Sequence, residues 1–143
     1  MAKRILVPLD GSPAAERIVP LVADLARGSG ASLRLLHVAP EPDSMLTRGC
    51  PAGAPPDREG HDYLHALEAR LEGLPIDSVI RFGDPVAEIL REANAFGADL
   101  IALTTAGQGG LSRVALGSVA EQVFLRAAAS VLLLHANPRG IPG

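Results

Sequence analysis

Five short apolar runs punctuate the chain, and the segments between them carry apolar residues at helical spacing. This alternation limits the fold more than any other feature. Strands lying parallel in one sheet must be joined by crossovers, and helices of this length supply them. Residues 3–9 (KRILVPL) form the first run, ending at Asp10-Gly11. Ser12 and Pro13 read as a helix N-cap and first helical position, and Ile18, Leu21, Val22 and Leu25 continue one face until Gly28. Residues 32–38 (SLRLLHV) are the second run. Leu64, Leu67 and Leu71 mark a helix ending near Gly73, and residues 76–82 (IDSVIRF) alternate apolar with polar, as a half-covered strand does. Gly83-Asp84-Pro85 opens a helix with Val86, Ile89, Leu90 and Ala93 on one face, closed by Gly97. Residues 99–105 (DLIALTT) make a fourth strand, and a helix over about 119–128 leads to the last, 130–134 (SVLLL).

The expected fold is α/β: a single doubly wound, mainly parallel five-stranded sheet with helices on both faces, in one domain over residues 1–143. A composition 48% hydrophobic and 20% charged can bury a substantial core, and with aromatics at 3% that core is built from Ala, Val, Leu and Ile. Residues 39–60 hold five prolines and three glycines, too many for a helix or strand, and are expected to be a mobile loop. Residues 136–143 are expected to be a flexible tail. A net charge of -3 gives no basic face for nucleic acid. The first apolar run is too short for a secretory leader, and no run approaches the roughly 18 residues of a membrane span. A lone Cys50 excludes an internal disulfide and suits a reducing compartment, so the expected location is cytoplasmic.

In sheets of this kind, ligands bind beyond the carboxyl ends of the strands, where the strand order reverses. Four segments leave the strands there: 9–11, 38–39, 83–85 and the glycine-dotted stretch 104–118 (TTAGQGGLSRVALGS). In the last, Gly107, Gly109 and Gly110 follow a strand and Gly117-Ser118 begins a helix. A helix N-terminus offers unpaired N–H groups and a partial positive charge to an anion, with the Ser118 hydroxyl as a further donor; the Arg113 guanidinium could join if it faced inward, but Arg113 reads as a solvated loop residue. The same residues admit another reading. Ser118-Val119-Ala120-Glu121 matches a capping box that needs no ligand, with the glycines as a loop. Neither the Walker pattern nor a dinucleotide G-x-G-x-x-G is present.

RILVPLDGS, LLHV, the GDP before DLIAL, GQGGLSRVALGSVAEQV and ASVLLL together resemble the universal stress proteins along essentially the whole chain. The nucleotide motif of that family is G-x-x-G, nine residues, then G-S or G-T. Gly107 matches its second glycine, and nine residues (108–116) precede Gly117-Ser118. Thr104 stands where the family has its first glycine, and Ala106 where members often have His.

The resemblance implies an adenine nucleotide alpha hydrolase-like fold that binds ATP, or AMP or ADP. Pro8, Asp10 and Val38 would line the adenine and ribose end, Val38 through its backbone, and Leu103 and Thr104 would flank the ribose. Gly107, Gly117, Ser118 and Val119 would turn backbone N–H groups to the phosphates, joined by the Ser118 hydroxyl. Mg²⁺ would bridge phosphate oxygens. A homodimer through the last strand, Ser130 to Leu134, is implied too, and an open apolar edge invites such pairing. The role implied is regulation or signalling in stress response. Alternatives are a nucleotide-free dimeric interaction module, its pocket occluded by Thr104, and a slow ATP hydrolase. No general base is evident near the phosphates, so any hydrolysis is expected to be slow.

Other candidates read as structural. Asp10 also fits a turn before Gly11. His61 and His65 have the i, i+4 spacing of a metal pair but no third ligand, and are read as a solvated helix face. His37 reads as a packed residue with a bonded ring nitrogen, and Cys50 as an exposed thiol without a catalytic task. His135 is assigned no role.

Overall fold

The computed structural model describes residues 3–10, 16–39, 58–71, 73–105 and 115–135. The alternation is realised as β1 (Arg4–Leu9), α1 (Ile18–Ser29), β2 (Ser32–Ala39), α2 (Arg58–Ala69), β3 (Ile76–Phe82), α3 (Pro85–Phe96), β4 (Leu100–Thr105), α4 (Ala115–Arg126) and β5 (Ser130–His135). Every strand pair is parallel, in the order β3-β2-β1-β4-β5. The chain steps from β1 outward to β2 and β3, returns across the sheet through α3, and adds β4 and β5 on the other side. Right-handed crossovers then put α1 and α2 on one face and α3 and α4 on the other. Side-chain contacts agree: His37 of β2 meets Tyr63 of α2, whereas Arg34 of the same strand meets Glu92 of α3.

Local signals account for α3 as the sequence predicts it. The Asp84 carboxylate accepts from the Ala87 N–H at 2.9 Å, Pro85 occupies the first turn, and Gly97 closes the helix at φ 72°. α4 departs from expectation. It starts at Ala115 rather than near 119, because Ala115 and Leu116 are good helix formers that carry the helix upstream. Ser118 is therefore the fourth residue inside the helix, not its N-cap, and the capping-box reading is corrected. The expected 39–60 loop also loses both ends, since Ala39 closes β2 and residues 58–60 open α2. Residues 40–57, the Ser12-Pro13 helix start and the 136–143 tail lie outside the described residues.

The core follows the apolar runs. Ile5, Leu6, Val7, Leu35, Leu36, Ile101 and Leu103 are fully buried, as strands covered on both faces require. Among the described residues, one acidic side chain enters this interior. Glu92 is 2% exposed, and its two carboxylate oxygens meet Arg34 Nη1 at 2.8 Å and Arg81 Nη2 at 2.9 Å. Arg34 is also bonded to Asp77 through Nε and Nη2 and lies 4.4 Å over the Phe96 ring. Pairing of both oxygens is what makes a buried carboxylate tolerable there.

At the amino edge, Asp99 clasps β1 to the start of β4. One of its oxygens accepts from the Lys3 N–H at 2.5 Å and the Arg4 N–H at 3.1 Å. Those bonds, the Lys3 one foremost, hold the carboxyl below its ordinary value of 3.8. A depressed folded-state pKa means the clasp stabilises fully above pH 3.8 and is lost as the pH falls from there through the lower folded value. Asp99→Asn is expected to lower the thermal midpoint at pH 7, the gap to the parent closing below pH 3.8. Midpoints measured between pH 7 and pH 2 check this, and a constant gap would place the stabilisation elsewhere.

Candidate functional site

β1 is central, paired with β2 on one side and β4 on the other, and the winding direction reverses between β1 and β4. That reversal makes their carboxyl ends the switch point of the sheet. The two ladders of β1 have different lengths. Pairing with β2 runs the full strand, from Arg4↔Ser32 to Leu9↔His37, whereas pairing with β4 stops at Leu6↔Ile101.

Pro8 explains the stop. The Lys3 carbonyl accepts from Ser32 on the β2 side and the Arg4 carbonyl from Asp99 on the β4 side, so odd residues of β1 bond toward β2 and even ones toward β4. The next bond to β4 after Leu6 would come from an N–H at position 8, directed at the Ala102 carbonyl. Proline has none. The registered β1–β4 ladder therefore ends at Leu6, before residues 8–10 of β1 and 103–105 of β4.

Alternation along the strands sorts the predicted residues. Arg34 faces α3, so its registered neighbours on that face include Leu6 and, further along, Pro8, Leu36 and Val38. Leu6↔Ile101 puts Leu103 on the same face. Pro8 and Leu103 are buried and Val38 is half-buried, so the three form an apolar floor beneath α3 and α4. Asp10 continues β1 as an exposed residue at the rim. Thr104 points the other way. It is 1% exposed, on the α1 face of β4, beside Leu134 of β5.

α4 packs on β4 above this floor. Gly117 is its third residue and lies in the first turn, where N–H groups have no acceptor within the helix. Val119, the fifth, has its N–H committed to the carbonyl of Ala115 by helix geometry, and its side chain is core at 8% exposure. Val119 is thus placed one residue beyond the first turn, with its side chain in the core. Gly107, Gly109, Gly110, Arg113 and Cys50 lie outside the described residues.

Two features escaped sequence reading. One is the ion cluster on Glu92, which reaches the carboxyl edge because Arg81 is the registered partner of Val38. Its signal was two arginines interrupting apolar strands on one face. The other is the ring of His37, whose Nδ1 lies 3.1 Å from the Leu9 carbonyl. The bonded nitrogen itself was expected; its partner was not. His61 and His65 are exposed, and among the described residues no three His, Cys, Asp or Glu side chains gather to hold a metal.

An all-parallel sheet of this order, with helices on both faces, defines a doubly wound α/β fold. The sequence profile of the Universal stress protein family matches residues 1–135, and the chain belongs to that family. A universal stress protein of Thermus aquaticus is 32% identical over 137 residues, 94% of this chain and 100% of the relative. Among solved structures, the protein MJ0577 superposes with a TM-score of 0.76 at 26% identity, covering 93% of this chain and 95% of that one. A universal stress protein in complex with cAMP has a TM-score of 0.70 at 23% identity, covering 94% and 98%. One from Archaeoglobus fulgidus in complex with dAMP has 0.67 at 22%, covering 92% and 96%. The fold is therefore the adenine nucleotide alpha hydrolase-like one. No helix among the described residues is long and apolar enough to cross a membrane.

If the donor that Pro8 lacks is what ends the ladder, Pro8→Ala should let it run on. The new amide at position 8 is expected to exchange slowly with solvent, as a bonded strand amide does. Fast exchange at that amide would show that something other than the missing donor ends the pairing of β1 with β4.

Proposed function

We propose that this protein binds an adenine nucleotide, ATP foremost, at the carboxyl ends of β1 and β4, and acts as a regulatory homodimer in the cytoplasmic stress response. The observation that carries the reading is the interrupted β1–β4 ladder, with Pro8, Val38 and Leu103 on its floor and the first turn of α4 above. Complexes of two structural neighbours with cAMP and dAMP support it, since both ligands join adenosine to phosphate.

Asp10 and the Val38 backbone would meet the adenosine end, with the backbone of Leu103 and Thr104 beside the ribose. Gly107, Gly117 and Ser118 would serve the phosphates, the dipole of α4 favouring negative charge. Val119 would hold that turn in place. Mg²⁺ would arrive on the phosphate oxygens, its usual mode in nucleotide sites. No side chain is assigned a catalytic task, and binding would bias a surface rather than drive chemistry.

Burial of Thr104 on the α1 face supports binding over an occluded pocket, because a side chain packed against the opposite layer does not fill the proposed site. Calorimetric titration with ATP and Mg²⁺, ADP, AMP and cAMP is expected to give saturable heat for at least one. Heat from none of them, with no adenine released on denaturation, overturns the reading. Thr104→Gly is expected to leave affinity no tighter and to cost about 1–2 kcal/mol of stability, from a lost buried methyl and a glycine within a strand. Tighter binding by that variant would mean the threonine does obstruct.

The dimer reading rests on the edges of the sheet. β3 carries Asp77 and Arg81, charges that discourage strand addition, whereas β5 reads SVLLLH. Leu133 of β5 is 39% exposed and Phe124 of α4 is 57% exposed. Arg126 lines a groove with Ala93, Asn94 and Gly97 at the end of α3. Phe124, two residues earlier and about 200° around the helix, lies on the flank away from α3, toward the free edge of β5. Light scattering is expected to return twice the 14.8 kDa chain mass, and Phe124→Glu with Leu133→Glu to return one. A parent protein that is monomeric at micromolar concentration would remove this edge from consideration.

A further inference from the structure

Near the carboxyl edge, Arg81 carries a guanidinium whose donors are only partly spent. It is the registered partner of Val38 and lies on the α3 face, where it meets Glu92. A guanidinium is a flat group with five N–H donors. Nε and Nη2 of Arg81 both lie 2.9 Å from one oxygen of Glu92, which occupies one edge of the plane. Among the described residues nothing else accepts from Arg81, so its Nη1 edge is open. Burial differs across the pair: the Glu92 side chain is 2% exposed and that of Arg81 47%. A carboxylate sunk in the core thus anchors a guanidinium that reaches the surface. Arg34 holds the other Glu92 oxygen at 2.8 Å, so the anchor is gripped from both sides.

Neighbouring strands lie about 4.8 Å apart, so Arg81 stands one strand from Val38 and three, roughly 14 Å, from β4 and the α4 helix packed on it. That puts it at the adenosine end of the proposed site and away from the phosphate end. The ring nitrogens of adenine accept hydrogen bonds, and a cationic donor makes the stronger kind. A long side chain already ordered by a partner also loses less freedom when it meets a ligand. We propose that Arg81 contacts the base of the bound nucleotide, donating from its Nη1 edge to a ring nitrogen of the purine, with Glu92 as the positioning residue that holds it there. This role rests on the nucleotide reading above and extends the site from the end of β2 to β3.

ATP, ADP and AMP share the base, so a base contact costs all three alike. In the full chain, titrated calorimetrically with Mg²⁺ present, Arg81→Met is expected to weaken each by the same factor, roughly three- to tenfold, the worth of one hydrogen bond at a half-exposed site. A loss that grows with the number of phosphates would make Arg81 a partner of the phosphate chain and overturns the base contact. Unchanged affinities overturn it too, while sparing the nucleotide reading. Arg34→Met separates contact from bracing, because it removes the partner of the other Glu92 oxygen and leaves Arg81 in place. It is expected to lower the thermal midpoint and keep the three affinities within about twofold. A loss equal to that of Arg81→Met would mean that bracing alone matters, and overturns the contact. In the parent protein itself, the ¹⁵N–¹H signals of the Arg81 guanidinium are expected to move on saturation with AMP; signals that stay in place overturn the contact whatever the variants do. A parent protein that takes up none of these nucleotides overturns the nucleotide reading, and this role with it.

Discussion

The carboxyl edge of this protein is shaped by a hydrogen that Pro8 does not have. A central strand of a parallel sheet ordinarily bonds to both neighbours along its length, and β1 does so toward β2. Toward β4 the next donor would sit on residue 8, so the ladder ends two residues short of it, at Leu6. The proposed site takes its position from that ending, because the residues beyond Leu6 lie at the switch point of the sheet without registered β1–β4 pairing.

Side-chain contacts tie the neighbouring elements together on both sides of the sheet. On the α2 face, His37 ties the Leu9 carbonyl to β2 and leans on Tyr63. On the α3 face, Glu92 draws Arg34 and Arg81 together, joining β2, β3 and α3 next to Val38. A buried ion cluster contributes little net stability compared with an apolar core of the same shape. Its geometry is specific, however: two guanidinium groups converging on one carboxylate fix how α3 lies across β2 and β3. At the amino edge, the Asp99 clasp holds β1 and β4 together where their ladder is intact. The clasp thus lies at the end of β1 and β4 where their registered pairing is found.

The chain belongs to the universal stress protein family, and its fourth strand ends in Thr104-Thr105. A β-branched residue suits a buried strand position, and Thr104 is packed as one, toward α1. Its side chain is thereby accommodated within the protein rather than at the surface. β5 shows the complementary economy. Its register with β4 runs from Leu100↔Ser130 to Thr105↔His135, and the strand itself, SVLLLH, carries no Asp, Glu, Lys or Arg.

The order of strands and helices was legible in the sequence because each element carries its own period and its own stop signal. β3 and α3 are read residue for residue, since Asp84, Pro85 and Gly97 act through bonds and dihedral angles within a few residues of themselves. The start of α4 was misplaced because the S-x-x-E pattern at Ser118 is a local signal that the helix-forming residues before it outweigh. Pro8, Val38 and Leu103 could be named as neighbours through family resemblance, yet their sharing of one face depends on strand register, which links residues far apart in the chain. The same holds for Glu92, an unremarkable helix residue until Arg34 and Arg81 arrive from two other strands, and for His37, whose acceptor lies 28 residues away. By itself the sequence determined the elements, their order and the proline that lacks a donor. Tertiary structure alone decided which strand that missing donor faced, because only pairing on both sides of β1 gives its alternating N–H groups a direction.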